Sequence, residues 1–165
     1  MLMLATPTFV QEGTRGAAVS SHPPFSTQVI GQAEKTLNAI LQRQLAGTGL
    51  TEPQWITLTL TAASGGSIDR GQLAGRVAGA LKVSEADAQA RIAELAAAQL
   101  LQAPADEGSP VRLTDAGQQL FGRIRAAVTE ITERLWGDLP AEDLAIAGRV
   151  LSIVTARANA ELGGR

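Results

Sequence analysis

The chain has 165 residues, enough for one domain with a sizeable core; 45% are apolar and only 3% aromatic. A net charge of −2 and a pI of about 5.4 provide no bulk attraction to nucleic acid or to anionic membranes. With no cysteine and one histidine, His22, there is no disulfide, no thiol nucleophile, no Cys-type zinc site and no second imidazole for a typical metal site.

Residues 1–24 read as an N-terminal arm, rich in Gly, Ser, Thr and Pro and ending at Pro23-Pro24. The opening apolar run is too short for a signal sequence and lacks a basic flank. No apolar run reaches the roughly 20 residues of a membrane span, so the expected location is the cytoplasm.

Alanine supplies much of the apolar content, which favours helix. A first helix is predicted over 25–46, with Ile30, Ala33, Leu37, Leu41 and Leu45 in one stripe and Gly47 and Gly49 ending it. A second starts at Thr51, where Thr51 and Gln54 form a capping box and Pro53 occupies the first turn. From Trp55 to Thr61 the pattern alternates as a strand does, and only the cap favours helix. Ser64-Gly65-Gly66-Ser67 breaks the chain. Asp69 caps a third helix to about Leu81, and Ser84 caps a fourth to about Ala98, joined by Lys82-Val83. Two short helices across a tight turn outline a helix-turn-helix.

Residues 100–103 and 111–113 then read as two strands around a turn-rich loop, a small hairpin or wing. Thr114-Asp115 opens a long fifth helix with a coiled-coil-like seam of Phe121, Ile124, Val128, Ile131 and Leu135. Gly137-Asp138-Leu139-Pro140 breaks it. The last helix, to about Leu162, is apolar on two faces: Leu144, Ala147, Leu151, Val154 and Ala158 on one, Ile146, Val150 and Ile153 on the other. Such a helix packs on two sides, and a partner subunit is the natural cover. The predicted fold class is mainly α, a winged helix-turn-helix with a small β-hairpin wing and a helical dimerisation region. The predicted divisions are 1–24 arm, 25–50 first helix, 51–113 winged helix-turn-helix and 114–165 C-terminal dimerisation helices.

This order of elements resembles the MarR family of dimeric winged-helix regulators over roughly residues 25–162. The most specific pieces are Gly49-Leu50-Thr51-Glu52-Pro53-Gln54-Trp55 and Val111-Arg112-Leu113-Thr114-Asp115-Ala116-Gly117. The resemblance implies a two-fold homodimer through the first, fifth and sixth helices, a recognition helix at 84–98 and a wing at 104–110. It implies repression of nearby genes and release of double-stranded DNA when a small, often phenolic ligand binds between the two halves.

The DNA-reading surface departs from the family pattern. Where hydroxyl residues and an arginine are usual, this chain has Ala86, Asp87, Gln89 and Ala90; a further basic position is Glu94, and a glycine position is Gln99. The wing holds Asp106-Glu107-Gly108, with no arginine before Arg112. Five basic residues stand against six acidic ones from Asp69 to Leu113, a net of −1, where phosphate neutralisation normally supplies much of the affinity. The candidate DNA-binding residues are Arg70, Arg76, Lys82, Ser84, Gln89, Arg91 and Arg112. Gln89 and Arg91 have the chemistry to read base edges; a solvated helix face is the plainer role for both.

Phe25, Trp55 and Trp136 are candidate ligand-stacking groups in an aromatic-poor chain, with core packing as the alternative. His22 is a candidate for an acidic ligand or haem iron, with simple solvation as the alternative. Two functions follow. One is a ligand-responsive DNA-binding regulator without a cofactor. The other is a MarR-like scaffold that has lost DNA binding and holds a small molecule or haem, as a binding protein or an enzyme. No residue set identifies a reaction.

Overall fold

The computed structural model describes residues 24–104 and 109–163. In chain order the elements are α1 (Thr27–Leu45), α2 (Glu52–Ala63), β1 (Ser67–Ile68), α3 (Arg70–Leu81), α4 (Glu85–Ala97), β2 (Leu101–Gln102), β3 (Val111–Leu113), α5 (Asp115–Trp136) and α6 (Ala141–Gly163). The chain divides after Thr36 into two units. In the first, Ser26 sets the start of α1: its Oγ accepts from Val29 N at 3.3 Å and its carbonyl from Ile30 N at 3.1 Å. The helix therefore begins at Thr27 rather than at the predicted Phe25, which stays 59% exposed. Most of the arm read at 1–24, His22 included, lies outside the described residues.

The second unit is built around α2, α3, α4 and the sheet. Leu58, Leu73, Val77, Ile92, Leu95 and Val111 are all fully buried in one core. Helix α2 solves the ambiguity of its alternating sequence. Thr57, Thr59 and Thr61 donate their hydroxyls to the carbonyls of Pro53, Trp55 and Thr57 at 2.8–2.9 Å. With those hydroxyls satisfied inside the helix, Thr57 and Thr61 can be fully buried without a strand ladder. At its start Thr51 and Gln54 form the predicted capping box, in which Thr51 N donates to Gln54 Oε1 at 2.9 Å. Asp69, Ser84 and Thr114 cap α3, α4 and α5, each side chain accepting from the backbone N–H three residues on.

The sheet differs from the predicted two-stranded hairpin. It has three strands in the order β1-β3-β2, all antiparallel, with Ser67 opposite Arg112 and Gln102 opposite the other side of Arg112. The extra strand lies in the segment read as a break. Gly65 and Gly66, at φ +77° and +81°, turn the chain back so that Gly66 O accepts from Leu113 N at 2.9 Å. A two-residue strand is too short to leave a periodic signal. Of the wing, residues 105–108, with Asp106 and Glu107, lie outside the described residues.

Gln99, directly after α4, has φ +58°. That left-handed conformation is the one glycine supplies at a helix C-terminus, which accounts for the glycine at this place in the family pattern. Gln99→Gly is expected to stabilise the protein by about 1 kcal/mol, measured as a rise in the denaturation midpoint.

The predicted seam of α5 is divided between two environments. Ile124 is buried, and Phe121 and Val128 pack against the core, whereas Leu135 and Trp136 are exposed. No residue of α6 is buried, and Leu144, Ile146, Leu151, Ile153 and Val154 all face open space. Among the described residues, the helix predicted to pack on two sides is covered on neither.

Candidate functional site

Two places in the second unit collect the side chains with chemical potential: the α3–α4–wing surface, and a cavity between α1, α2 and α5.

On the first, α4 presents Gln89 and Arg91 from a helix whose opening turn holds Glu85 and Asp87. Arg70 donates from Nε to Gln89 Oε1 at 3.0 Å and from a terminal nitrogen to the carbonyl of Pro104 at 3.2 Å, joining α3, α4 and the base of the wing. Arg91 pairs with Glu94 at 2.7 Å, and Glu94 also accepts from Gln54 Nε2 at 2.9 Å. Arg76 donates to Ser64 Oγ and Lys82 Nζ to Asn159 Oδ1, each at 2.7 Å. Ser84 is occupied as the N-cap of α4, accepting from Asp87 N and donating to its carboxylate. Arg112 is exposed at the middle of β3, the central strand.

The seven candidate residues are spread over α3, α4, their connecting turn and the sheet, and of the hydrogen bonds described only that of Arg70 to Gln89 joins two of them. Arg91 and Glu94 are both half-buried, and a pair that still reaches solvent is worth about 1 kcal/mol, so a phosphate or a guanine edge can displace Glu94 at modest cost. The acidic residues are a larger obstacle. Glu85, Asp87 and Glu94 ride on the same helix as Gln89 and Arg91, and each repels the backbone of an approaching duplex. Glu94 also has a structural task, tying α4 to the start of α2, which its sequence position alone did not reveal.

The second place is a cavity of about 210 Å³. Its apolar wall includes Leu37 and Leu41 of α1, Trp55 of α2, and Val128, Leu135 and Trp136 of α5; its polar residues are Gln44 and Thr132. Trp55 is 9% exposed and stacks on Phe121 with ring centroids 5.4 Å apart. Arg125 in turn lies over the Phe121 ring at 5.9 Å. Two of the sequence-derived candidates, Trp55 and Trp136, therefore meet at one cavity. Phe25 belongs to the first unit, and His22 lies outside the described residues. Gln44, Thr132 and Phe121 were missed as site residues. Gln44 and Thr132 are polar residues beside apolar positions of α1 and α5, a pattern that reads as an ordinary solvated face until the helices are placed side by side.

The sequence matches no protein-family model and no curated protein. Solved structures do match. Ligand-free NadR superposes with a TM-score of 0.66 at 20% identity, over 82% of this chain and 98% of NadR. The PcaV transcriptional regulator of Streptomyces coelicolor, solved with its natural ligand, gives 0.62 at 19% identity, over 80% and 93%. A MarR family protein of Mycobacterium tuberculosis, solved with salicylic acid, gives 0.53 at 21% identity, over 76% and 94%. The fold is the MarR winged helix. Within it, α3 and α4 form the helix-turn-helix and β2–β3 the wing.

Proposed function

We propose that this chain is a homodimeric MarR-type regulator whose binding to double-stranded DNA is set by a small aromatic ligand. The observation that carries the reading is the cavity and its connection to the recognition helix. Trp55 lines the cavity from the first turn of α2, and Gln54, one residue before it, is hydrogen-bonded to Glu94 beside Arg91 on α4. A ligand that moves the start of α2 thereby acts directly on a DNA-reading side chain, which is what a coupling between two sites requires. The MarR-type fold supports the assignment, as do NadR solved with 4-hydroxyphenylacetate and the Mycobacterium tuberculosis protein solved with salicylic acid. The uncovered apolar face of α6 supports the dimer. Among the described residues no helix is long and apolar enough to cross a membrane, and the proposed place of action is the cytoplasm.

Binding to DNA is expected to be weak and steeply salt-dependent, because α4 carries three acidic residues, Glu85, Asp87 and Glu94, against one arginine, Arg91. A fluorescence-anisotropy titration of the full chain against the DNA upstream of its own gene, at two salt concentrations, is the test. Arg91→Ala is expected to cost roughly 1–3 kcal/mol and to relax base preference, while Arg112→Ala weakens binding to all sequences alike. Nanomolar, sequence-specific binding at physiological salt that survives Arg91→Ala would contradict this account of the surface.

A second reading, the same fold without DNA binding, is favoured by the acidic first turn of α4 and the engagement of Arg91 by Glu94. No binding even at low salt would select it. Haem as the bound group rests on His22 alone, and a Soret band in the absorption spectrum of the purified protein is its test.

A further inference from the structure

The walls of the cavity define the charge of what it takes. We propose that it admits an uncharged, single-ring aromatic molecule carrying a hydrogen-bonding group, and rejects aryl carboxylates. The inference rests on the ligand-responsive reading above and narrows it.

Volume comes first. Drug-sized pockets run to about 300–1,000 Å³, and an apolar cavity of about 150 Å³ accommodates benzene. At about 210 Å³ this cavity suits one substituted ring rather than a fused or linked pair. The wall chemistry comes second. Among the described residues that line it there is no lysine, arginine or histidine. The three arginines of α5 line other pockets: Arg125 and Arg134 border one, and Arg123 borders another that shares Gln44 with this cavity. A carboxylate entering this space gives up part of its hydration and meets no opposite charge on the lining residues, which is unfavourable. The polar groups that do line it are neutral. Thr132 Oγ1 donates to Thr129 O at 2.9 Å, so its oxygen remains an acceptor. The Gln44 amide has both a donor and an acceptor. That pair matches a phenolic hydroxyl or a primary amide, and the donors the lining residues carry, the Gln44 amide and the Trp55 and Trp136 indoles, are all uncharged.

The protein supplies its own reporter. Trp55 and Trp136 are the two tryptophans of the chain, both line the cavity, and there is no tyrosine. Intrinsic fluorescence therefore comes mainly from the cavity wall. The full-length protein is titrated at neutral pH with 4-hydroxybenzamide and with 4-hydroxybenzoate, matched in ring and size but not in charge. The expected result is quenching or a spectral shift by the amide at a concentration at least tenfold below that needed for the acid. Gln44→Arg, which places a cation at the partly exposed Gln44 position, is expected to reverse the order. Should that variant fold poorly, the wild-type comparison stands alone.

Equal or tighter binding of the acid by the wild-type protein overturns the proposal. DNA anisotropy on the same samples separates it from the reading beneath it. If both compounds bind equally and both release DNA, the charge rule falls and the ligand-responsive regulator stands. If the amide binds preferentially and DNA affinity does not change, the charge rule stands and the regulatory reading falls. If neither compound perturbs the fluorescence of the folded protein, the charge rule falls with the cavity's role.

Discussion

A protein carrying Leu151→Asp and Val154→Asp on α6 is expected to be monomeric at micromolar concentration, where the parent chain is expected to be a dimer. Both positions are about 40% exposed in the isolated chain, at 43% and 39%, on a helix none of whose residues is buried. A helix of 23 residues with this many bare aliphatic side chains is not stable as a solvated arm. The second copy is the natural cover, because a two-fold interface buries the same patch on both partners. Each introduced carboxylate then sits, unpaired, in an apolar contact and appears twice by symmetry. At several kcal/mol for each desolvated charge, the combined penalty exceeds about 5 kcal/mol, more than a thousandfold in dimer affinity. Light scattering or sedimentation reads the change directly. A parent chain that is itself a well-folded monomer at that concentration contradicts the prediction.

The second large effect is expected at Gly117. Gly117 is buried in the first turn of α5, and a Cβ built on it would fall against the carbonyl oxygen of Leu100, well inside van der Waals contact. The obstacle is backbone, not a side chain that can swing away. The same junction is held by Thr114, which donates its hydroxyl to Gln99 O at 2.7 Å, and whose N–H donates to Leu100 O at 3.2 Å. Gly117→Ala must therefore push α5 away from the strand entry and weaken this junction. The expected loss is about 3 kcal/mol, near the upper end for overpacking, or a fall of roughly 10 °C in the thermal midpoint. Gly122→Ala is the internal control. It lies on the same helix with open space at its Cβ position and should be neutral or slightly stabilising.

Most of the architecture was readable because it rests on local chemistry. Capping residues at Thr51, Asp69, Ser84 and Thr114 act within three residues of themselves, so their signals survive in a linear string. The apolar stripe of α5 and the two apolar faces of α6 likewise repeat at the helical period. The Val111–Gly117 segment was equally legible, and the structure supplies the reason for its last residue: glycine alone fits against Leu100.

What the tertiary structure decided are relations between residues distant in the chain. Strand β1 exists only because β3 lies beside Ser67 and Ile68, and two residues have no period of their own. Trp55 and Trp136 stand 81 positions apart, and nothing in their spacing brings them to one cavity with Gln44 and Thr132; the packing of α1, α2 and α5 does. Glu94 read as one more negative charge on a would-be DNA face. Its hydrogen bonds to Gln54 and Arg91 make it the joint between α4 and the helix that walls the cavity. By itself the sequence determined which segments are helical and which faces are apolar, since both follow from the chemistry of neighbours a few residues apart. Which polar groups meet, and therefore whether the charges of α4 face a duplex or one another, was decided by the fold, because side-chain pairing depends on distances that only the packed helices create.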